Sequence, residues 1–484
     1  MKIAMKKNIT YICLFAILFN AGCTKDFERL SENPNAIKDA SAETLLAQTL
    51  YSSLVTKIQT AKSLGNELMG YSVEKTGRAL VQRFEIKNTN GNNLWQRHYR
   101  YLHNLEDMYQ RAVAEKNVNY QAIALTLKAW LFSELTDTFR DVPYFEALKG
   151  DSLQFLPKYD RQEDIYADIL KNLDNAALMF NNSTNISAVN DILYGSKSTN
   201  ALRVTAWRKF CNSLRLRLYL RVSNSALFDA PGKINEIVSN PGTYPIFANA
   251  EDAAYIPFTN IEPLYNPYYN TTNGSFGYSN APSTTILEIM QAVSDARIPY
   301  YYERNGSEYV GVISGYPMGS AKQLYPNGTS YIKYNLHESP RLGVILSYDE
   351  VQFILAEAAL KGWISGSAEA YYLQALRSNF TFWGLTASAT YLALPQVKFD
   401  GTLKQIMEQK YISNFYRGLE AWFDYRRTGY PELLFHSQIG NNGKVPSRLI
   451  YPSVTQLYNP TNYKVAVERM GGDNINVKSF WEKN

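Results

Sequence analysis

Apolar residues recur at helical spacing in several long stretches of this 484-residue chain. Residues 120–139 put Ile123, Leu127, Trp130, Leu131 and Leu135 on one stripe, and residues 162–181 do the same with Ile165, Ile169, Leu173, Ala176 and Phe180. A third stripe, Trp207, Phe210, Leu214 and Leu218, runs through residues 204–222. Recurrence every three to four residues predicts amphipathic helices that bury one face against a neighbour. Residues 349–363 and 369–380, separated by the turn "ISGSA", form a unit of about the 34-residue length of a tetratricopeptide helical hairpin. Residues 402–431 read as one long helical stretch stopped by Gly429 and Pro431. Between the helices, residues 225–345 lose this period. Thirteen tyrosines fall in residues 251–340, about twice their frequency in the whole chain, among Pro, Gly and Asn. That aromatic content is too high for a disordered linker.

The expected architecture is therefore mainly α: a tetratricopeptide-like helical-repeat scaffold over roughly 41–224 and 346–431, carrying a loop-rich, aromatic-rich irregular lobe over 225–345. An irregular segment, 432–484, follows, and 41–484 reads as one domain. The first helix is expected near Ser41, a residue type suited to an N-cap.

The N-terminus has its own pattern. Lys2, Lys6 and Lys7 precede an apolar run of 11 residues, Ile9 to Phe19. A membrane span needs about 20 residues, so residues 1–22 read as an export signal. Small residues Ala21 and Gly22 then precede Cys23, which resembles the lipobox of bacterial lipoproteins, with Asn20 where Leu is commonest. The alternative is a plain signal-peptidase site beside an incidental cysteine. On the lipobox reading Cys23 is the lipidated first residue, residues 23–40 are its polar tether, and several acyl chains give stable anchoring where one would be marginal. Cys211 is then the one remaining thiol of the mature chain, so no internal disulfide framework is expected.

Composition narrows the function. The chain is 45% hydrophobic and 19% charged, with 37 Tyr against 22 Phe and 7 Trp. Tyrosine combines an apolar ring with a polar tip and suits flat-faced polar ligands. Loss of the three N-terminal lysines lowers the formal net charge from +5 to +2. Lys and Arg are interspersed with Asp and Glu, so the concentrated basic patch of a nucleic-acid binder is missing.

Several segments together resemble one family, the SusD/RagB outer-membrane lipoproteins of the Bacteroidetes. They are "DFERLSENPNA" behind Cys23, "LWQRHYRYLHNL" (94–105), "AWLFSELTDTFRDVPYFEAL" (129–148), "YDRQEDIYADILKNLDNA" (159–176), "WRKFCNSLRLRLYLR" (207–221), "DARIPYYYERNGSEYVG" (295–311), "AEAALKGW" (356–363) and "EAWFDYRRTGYP" (420–431). The opening "DFE…NPN" is similar to one subgroup. The resemblance implies a surface lipoprotein, facing the cell exterior, that captures an oligosaccharide or peptide nutrient. It also implies a partner, a SusC-like TonB-dependent transporter barrel on which the protein sits as a lid, and it implies no catalytic chemistry.

The motifs have their own physical reading. Asp137 and Asp141 are side-chain hydrogen bonders at a helix end that Pro143 closes. Arg426 and Arg427 sit in a last helical turn, where cations meet the negative dipole end, beside Asp424 and ahead of Gly429 at the C-terminus. The arginines of "NSLRLRLYLR" are expected to bridge neighbouring helices. All of these are read as scaffold. Ligand contacts are sought in the aromatic loops, because sugar faces pack on rings while a few polar groups take the hydroxyls. The leading candidates are Tyr265, Tyr268, Tyr269, Phe276 and Tyr278, then Tyr316. A second patch is Arg83, Phe84 and Asn93, and Trp383 is a third possibility.

Catalytic and metal signatures are lacking. The four histidines (98, 103, 337 and 436) have no metal-ligand spacing, and there is no CxxC, nucleophile elbow, phosphate loop or EF-hand loop. No cofactor is expected, and a structural calcium held by loop carbonyls would leave no sequence trace. Two readings stand beside the nutrient binder: a helical glycoside hydrolase, which needs two carboxylates about 5–9.5 Å apart, and a helical-repeat scaffold for another protein.

Overall fold

The computed structural model describes residues 41–76, 80–149, 153–259, 261–269, 277 and 279–483. The signal segment, Cys23 with its tether, Phe276 and Tyr278 lie outside the described residues.

The scaffold helices are α1 (Thr44–Thr60), α2 (Asn92–Ala114), α3 (Val118–Phe139), α4 (Gln162–Met179), α5 (Asn200–Arg221), α6 (Tyr348–Leu360), α7 (Ala368–Phe382), α8 (Leu403–Ser413) and α9 (Glu420–Thr428). Successive helices pack on one another: α1 on α2, α2 on α3, α3 on α4, α4 on α5, and α6 on α7. Five of these helices start on side-chain caps. Asn117, Thr199, Ser347, Ser367 and Thr402 each accept a hydrogen bond from a backbone N–H of the first turn, which satisfies one of the donors a helix leaves unpaired. The stripe Ile123, Leu127, Trp130, Leu131 and Leu135 is fully buried, and α3 is enclosed on nearly all sides. The chain outside the scaffold adds short antiparallel pairs, such as Ser72–Glu74 with Asn280–Pro282 and Ala254–Tyr255 with Val344–Leu346.

Three expectations change. The first helix starts at Thr44 and its N-cap, Glu43, makes no side-chain cap, so Ser41 does not start it. The single stretch expected over 402–431 breaks into α8 and α9. Tyr416 and Gly418 adopt left-handed backbone (φ 60° and 73°), and a Cβ on Gly65 would lie 2.1 Å from the Gly418 carbonyl oxygen. The close approach of α1's continuation interrupts the helix. The segment after 431 also contains two helices, α10 (Ser453–Tyr458) and α11 (Pro460–Met470). The latter begins with Pro at its first turn and ends on left-handed Gly471, the usual asymmetry of helix ends.

The arginine face of α5 is a buried ionic lattice. Arg215 pairs with Asp174 at 2.7 Å on α4, and Arg217 with Glu350 at 2.6 Å on α6. Arg221 joins Asp137 on α3 and, at 2.7 Å, Glu420 on α9. Asp137 also accepts from Tyr166 Oη at 2.8 Å and Trp481 Nε1 at 3.0 Å. Asp141 accepts from the Gln162 N–H at 3.1 Å and pairs with Arg469 at 2.6 Å. The Val142–Pro143 strand pairs with Tyr159–Asp160. Arg427 takes Glu357 in a two-pronged pair at 2.5 and 2.7 Å, and Asp424 pairs with Lys410 at 2.7 Å. Burial alone would raise the Glu357 and Asp424 carboxyls. Arg427 with Lys361 holds Glu357 at about 2, and Lys410 with Arg427 does the same for Asp424. Gly429 closes α9 at φ 84°.

Candidate functional site

Residues Ile298–Tyr301 form a single helical turn in "RIPYYYE". Tyr301 turns inward, stacks on Phe415 with ring centres 4.1 Å apart and donates to the Ile412 carbonyl at 3.1 Å. Tyr302 is also buried and donates to the Tyr71 carbonyl at 2.9 Å. Tyr300 is left outward, 36% exposed. Its ring centre lies 6.3 Å from that of Trp383, edge-on at 61°.

Trp383 is the residue on which α7 ends, followed by left-handed Gly384. It is only 4% exposed, and its indole Nε1 is buried with no hydrogen-bond partner among the described residues. Trp383 lines an open cleft of about 650 Å³. A further part of the lining is the segment 333–341, with two short 3₁₀ turns. It contributes Lys333, Asn335, Glu338 and Arg341. Lys333 pairs with Glu303 at 2.8 Å, and Arg341 Nε donates to the Phe382 carbonyl at 2.7 Å, tying this wall to the end of α7. Asn335 and Glu338 are exposed. The cleft thus combines an aromatic pair with amide, carboxylate and cation groups. Such a cleft can hold a ring-faced ligand by its face and its hydroxyls at once.

The tyrosine turn stands behind this wall. Asn266 is buried, donates to the Leu336 and Ser339 carbonyls at 3.3 and 3.1 Å, and accepts from the Tyr268 N–H at 3.0 Å. Tyr265 and Tyr269 stack in parallel with centres 5.3 Å apart, and Lys62 lies 5.6 Å over the half-buried Tyr268 ring. Trp383 and the Tyr265–Tyr269 turn are thus joined to one segment from two sides.

The other candidates sit elsewhere. Tyr316 is 0% exposed, packs in a small cluster with Val73, Ala281 and Val312, and donates to the Glu74 carbonyl at 2.9 Å. With no surface to offer, it is a packing residue and not a contact. Phe84 is likewise buried, with left-handed backbone, edge-on to Phe435. Arg83 pairs with Glu85 at 3.0 Å, and Asn93 is exposed in the first turn of α2. None of the four lines the cleft, and neither do Tyr265, Tyr268 and Tyr269; of the described candidates Trp383 does. Tyr300, Lys333, Asn335, Glu338 and Arg341 were not singled out from sequence. The run of three tyrosines at 300–302 was a signal, but nothing local says which ring faces out.

Among the described residues no group of three or more His, Cys, Asp or Glu could hold a metal ion, and no helix is long and apolar enough to cross a membrane.

Residues 34–452 match the SusD-like family model described as "Starch-binding associating with outer membrane". No curated protein matches the chain. A SusD homologue from Bacteroides uniformis is similar in structure, with TM-score 0.77 and 27% identity over 92% of this chain and 100% of the other. One from Bacteroides fragilis gives 0.76 and 24% over 92% and 100%. A chitin-binding SusD homologue from Flavobacterium johnsoniae gives 0.77 and 22% over 92% and 99%. With a match over most of its length, this chain belongs to the SusD-like family of outer-membrane-associated starch-binding proteins.

Proposed function

We propose that this protein is a surface nutrient-binding lipoprotein that takes an oligosaccharide into the cleft between Tyr300, Trp383 and the 333–341 wall. The observation that carries the reading is an outward Tyr300 paired with Trp383 in one cleft with four polar side chains. Aromatic faces supply the apolar contact and the polar wall supplies direction. The family description and the chitin-binding relative favour a glycan over a peptide. Among the cleft-lining residues the one carboxylate is Glu338. Glycoside hydrolysis ordinarily uses two, which favours capture over turnover. In this reading Cys23 carries the lipid, the body faces the cell exterior, and the bound glycan passes to a SusC-like TonB-dependent transporter.

Calorimetry of the purified protein against starch, chitin and peptide panels, with chromatography of the recovered ligand, tests this. A glycan should bind and return intact. Shortened glycan products would favour the hydrolase, and binding of peptides alone would remove the glycan assignment.

A further inference from the structure

A second pocket, sharing no residue with the cleft, opens where the first turn of α2, residues 143–148 and 155–159, and α10 meet. Its volume is about 240 Å³ and its walls are aromatic: Trp95, Tyr99 and Tyr159 inside, Phe155 and Tyr458 at the mouth. Trp95 is 8% exposed and stacks within 29° of parallel to Tyr159, whereas Phe155 and Tyr458 are each 69% exposed. Large apolar side chains scattered singly on a surface need no explanation, but a cluster around a concavity does. The mouth is held in place. Asn459 Nδ2 donates to the Pro157 carbonyl at 2.8 Å, Asn462 Nδ2 to the Leu156 carbonyl at 2.9 Å, and the Lys158 N–H to Glu146 at 3.0 Å. The pocket is preformed.

Volume and hydrogen bonding decide what it takes. A dry apolar cavity of about 150 Å³ holds a benzene ring, so 240 Å³ admits one six-membered ring with a substituent. A sugar ring would bring several hydroxyls, whereas the lining is mostly apolar and the O–H hydrogens of Tyr99 and Thr455 are already committed. Tyr99 Oη donates to the Pro143 carbonyl at 2.8 Å and Thr455 Oγ1 to the Pro452 carbonyl at 2.8 Å. Asn459 accepts from Asn462 at 3.0 Å besides its bond to Pro157. A sugar's hydroxyls facing this inner wall find few donors, at a cost in free energy, and gain less there than an arene does. An aromatic ring meets no such cost and gains edge or stacked contacts on every wall. We propose that this pocket is a binding site for a single aromatic ring, either a free small arene or an aryl group carried on a glycan.

The test is calorimetry of the full chain with phenol, phenyl β-glucoside and methyl β-glucoside, repeated with Tyr458→Ser and Phe155→Ser. Both substitutions are at exposed positions, so the fold is retained. Phenol and phenyl glucoside should bind and methyl glucoside should not, with each variant weakening aryl binding about tenfold, which is 1.4 kcal/mol, while glycan binding at the cleft is unchanged. Phenyl glucoside tighter than phenol assigns an aryl-bearing glycan, and equal affinities assign the free arene. Absence of phenol binding, displacement by methyl glucoside, or full affinity in both variants overturns the proposal.

Discussion

Arg426 offers the sharpest test of the scaffold reading of "DYRRTGYP". Its guanidinium donates to Glu482 at 2.8 and 2.6 Å, to Ser479 Oγ at 2.7 Å and to the Asp137 carbonyl at 2.5 Å. It also lies 4.6 Å over the Trp422 ring and 4.5 Å over Trp481. The pair is desolvated, with side chains 2% and 4% exposed. Arg426→Met keeps the stem's packing but leaves Glu482 buried with two neutral donors, Ser447 Oγ at 2.8 Å and the Ser479 N–H at 3.0 Å. Stranding one partner of a buried pair costs about 3–5 kcal/mol, and the loss falls on the C-terminal segment 479–482 that Arg426 ties to α3. Urea unfolding followed by fluorescence should show a lower midpoint at unchanged slope. The double change Arg426→Met with Glu482→Gln should recover part of it, because the uncompensated charge is gone. Glycan affinity below the transition should stay within a factor of about two, since no residue touched by Arg426 lines the cleft. A stability change under about 1 kcal/mol, or lost glycan binding with the urea midpoint intact, would refute the reasoning.

Further outcomes follow from buried carboxyls and from the anchor. Burial, with Glu74 nearby, pushes the Glu67 carboxyl up to about 8 from an ordinary 4.5. The folded state therefore keeps a proton that the unfolded state loses, and stability falls as pH rises from 4.5 to 8. Glu67→Gln should remove that slope, a gain on the order of 3 kcal/mol at pH 7, read as the difference between urea midpoints at pH 5 and 8. Glu357 is the opposite case. Held at about 2, it contributes stability above pH 4.5 that is lost as pH falls toward 2, so acid unfolding of Glu357→Gln should show a shallower pH dependence between those values. Cys23→Ala should leave a folded, glycan-competent protein that no longer fractionates with the outer membrane, and retention there in cells lacking the transporter would contradict the lipid anchor.

Much of the scaffold was legible in the chain because its signals are local. The α3 stripe and the Gly429 terminator each depend on neighbours within a few residues. The α8–α9 break was not legible. It depends on Gly65 meeting the Gly418 carbonyl, a contact between residues more than 350 positions apart. The site divides the same way. Trp383, a third possibility from sequence as an aromatic after the helical hairpin, lines the cleft. Tyr316 looked equally loop-like, but the Val73 and Ala281 strands cover it. Tyr300, Tyr301 and Tyr302 are alike in sequence, and only the stack of Phe415 on Tyr301 leaves Tyr300 as the ring that faces out. The cleft's polar wall comes from a segment near α7 in space but over 40 residues away in sequence, which no periodicity reveals.

The central claim is that the Tyr300–Trp383 cleft holds the glycan, and a crystal structure with a bound maltooligosaccharide tests it most directly. A sugar ring lying on Tyr300 beside Trp383, with hydroxyls held by Arg341 and Asn335, is the predicted result. An ordered oligosaccharide elsewhere on the protein, with this cleft empty, would contradict it.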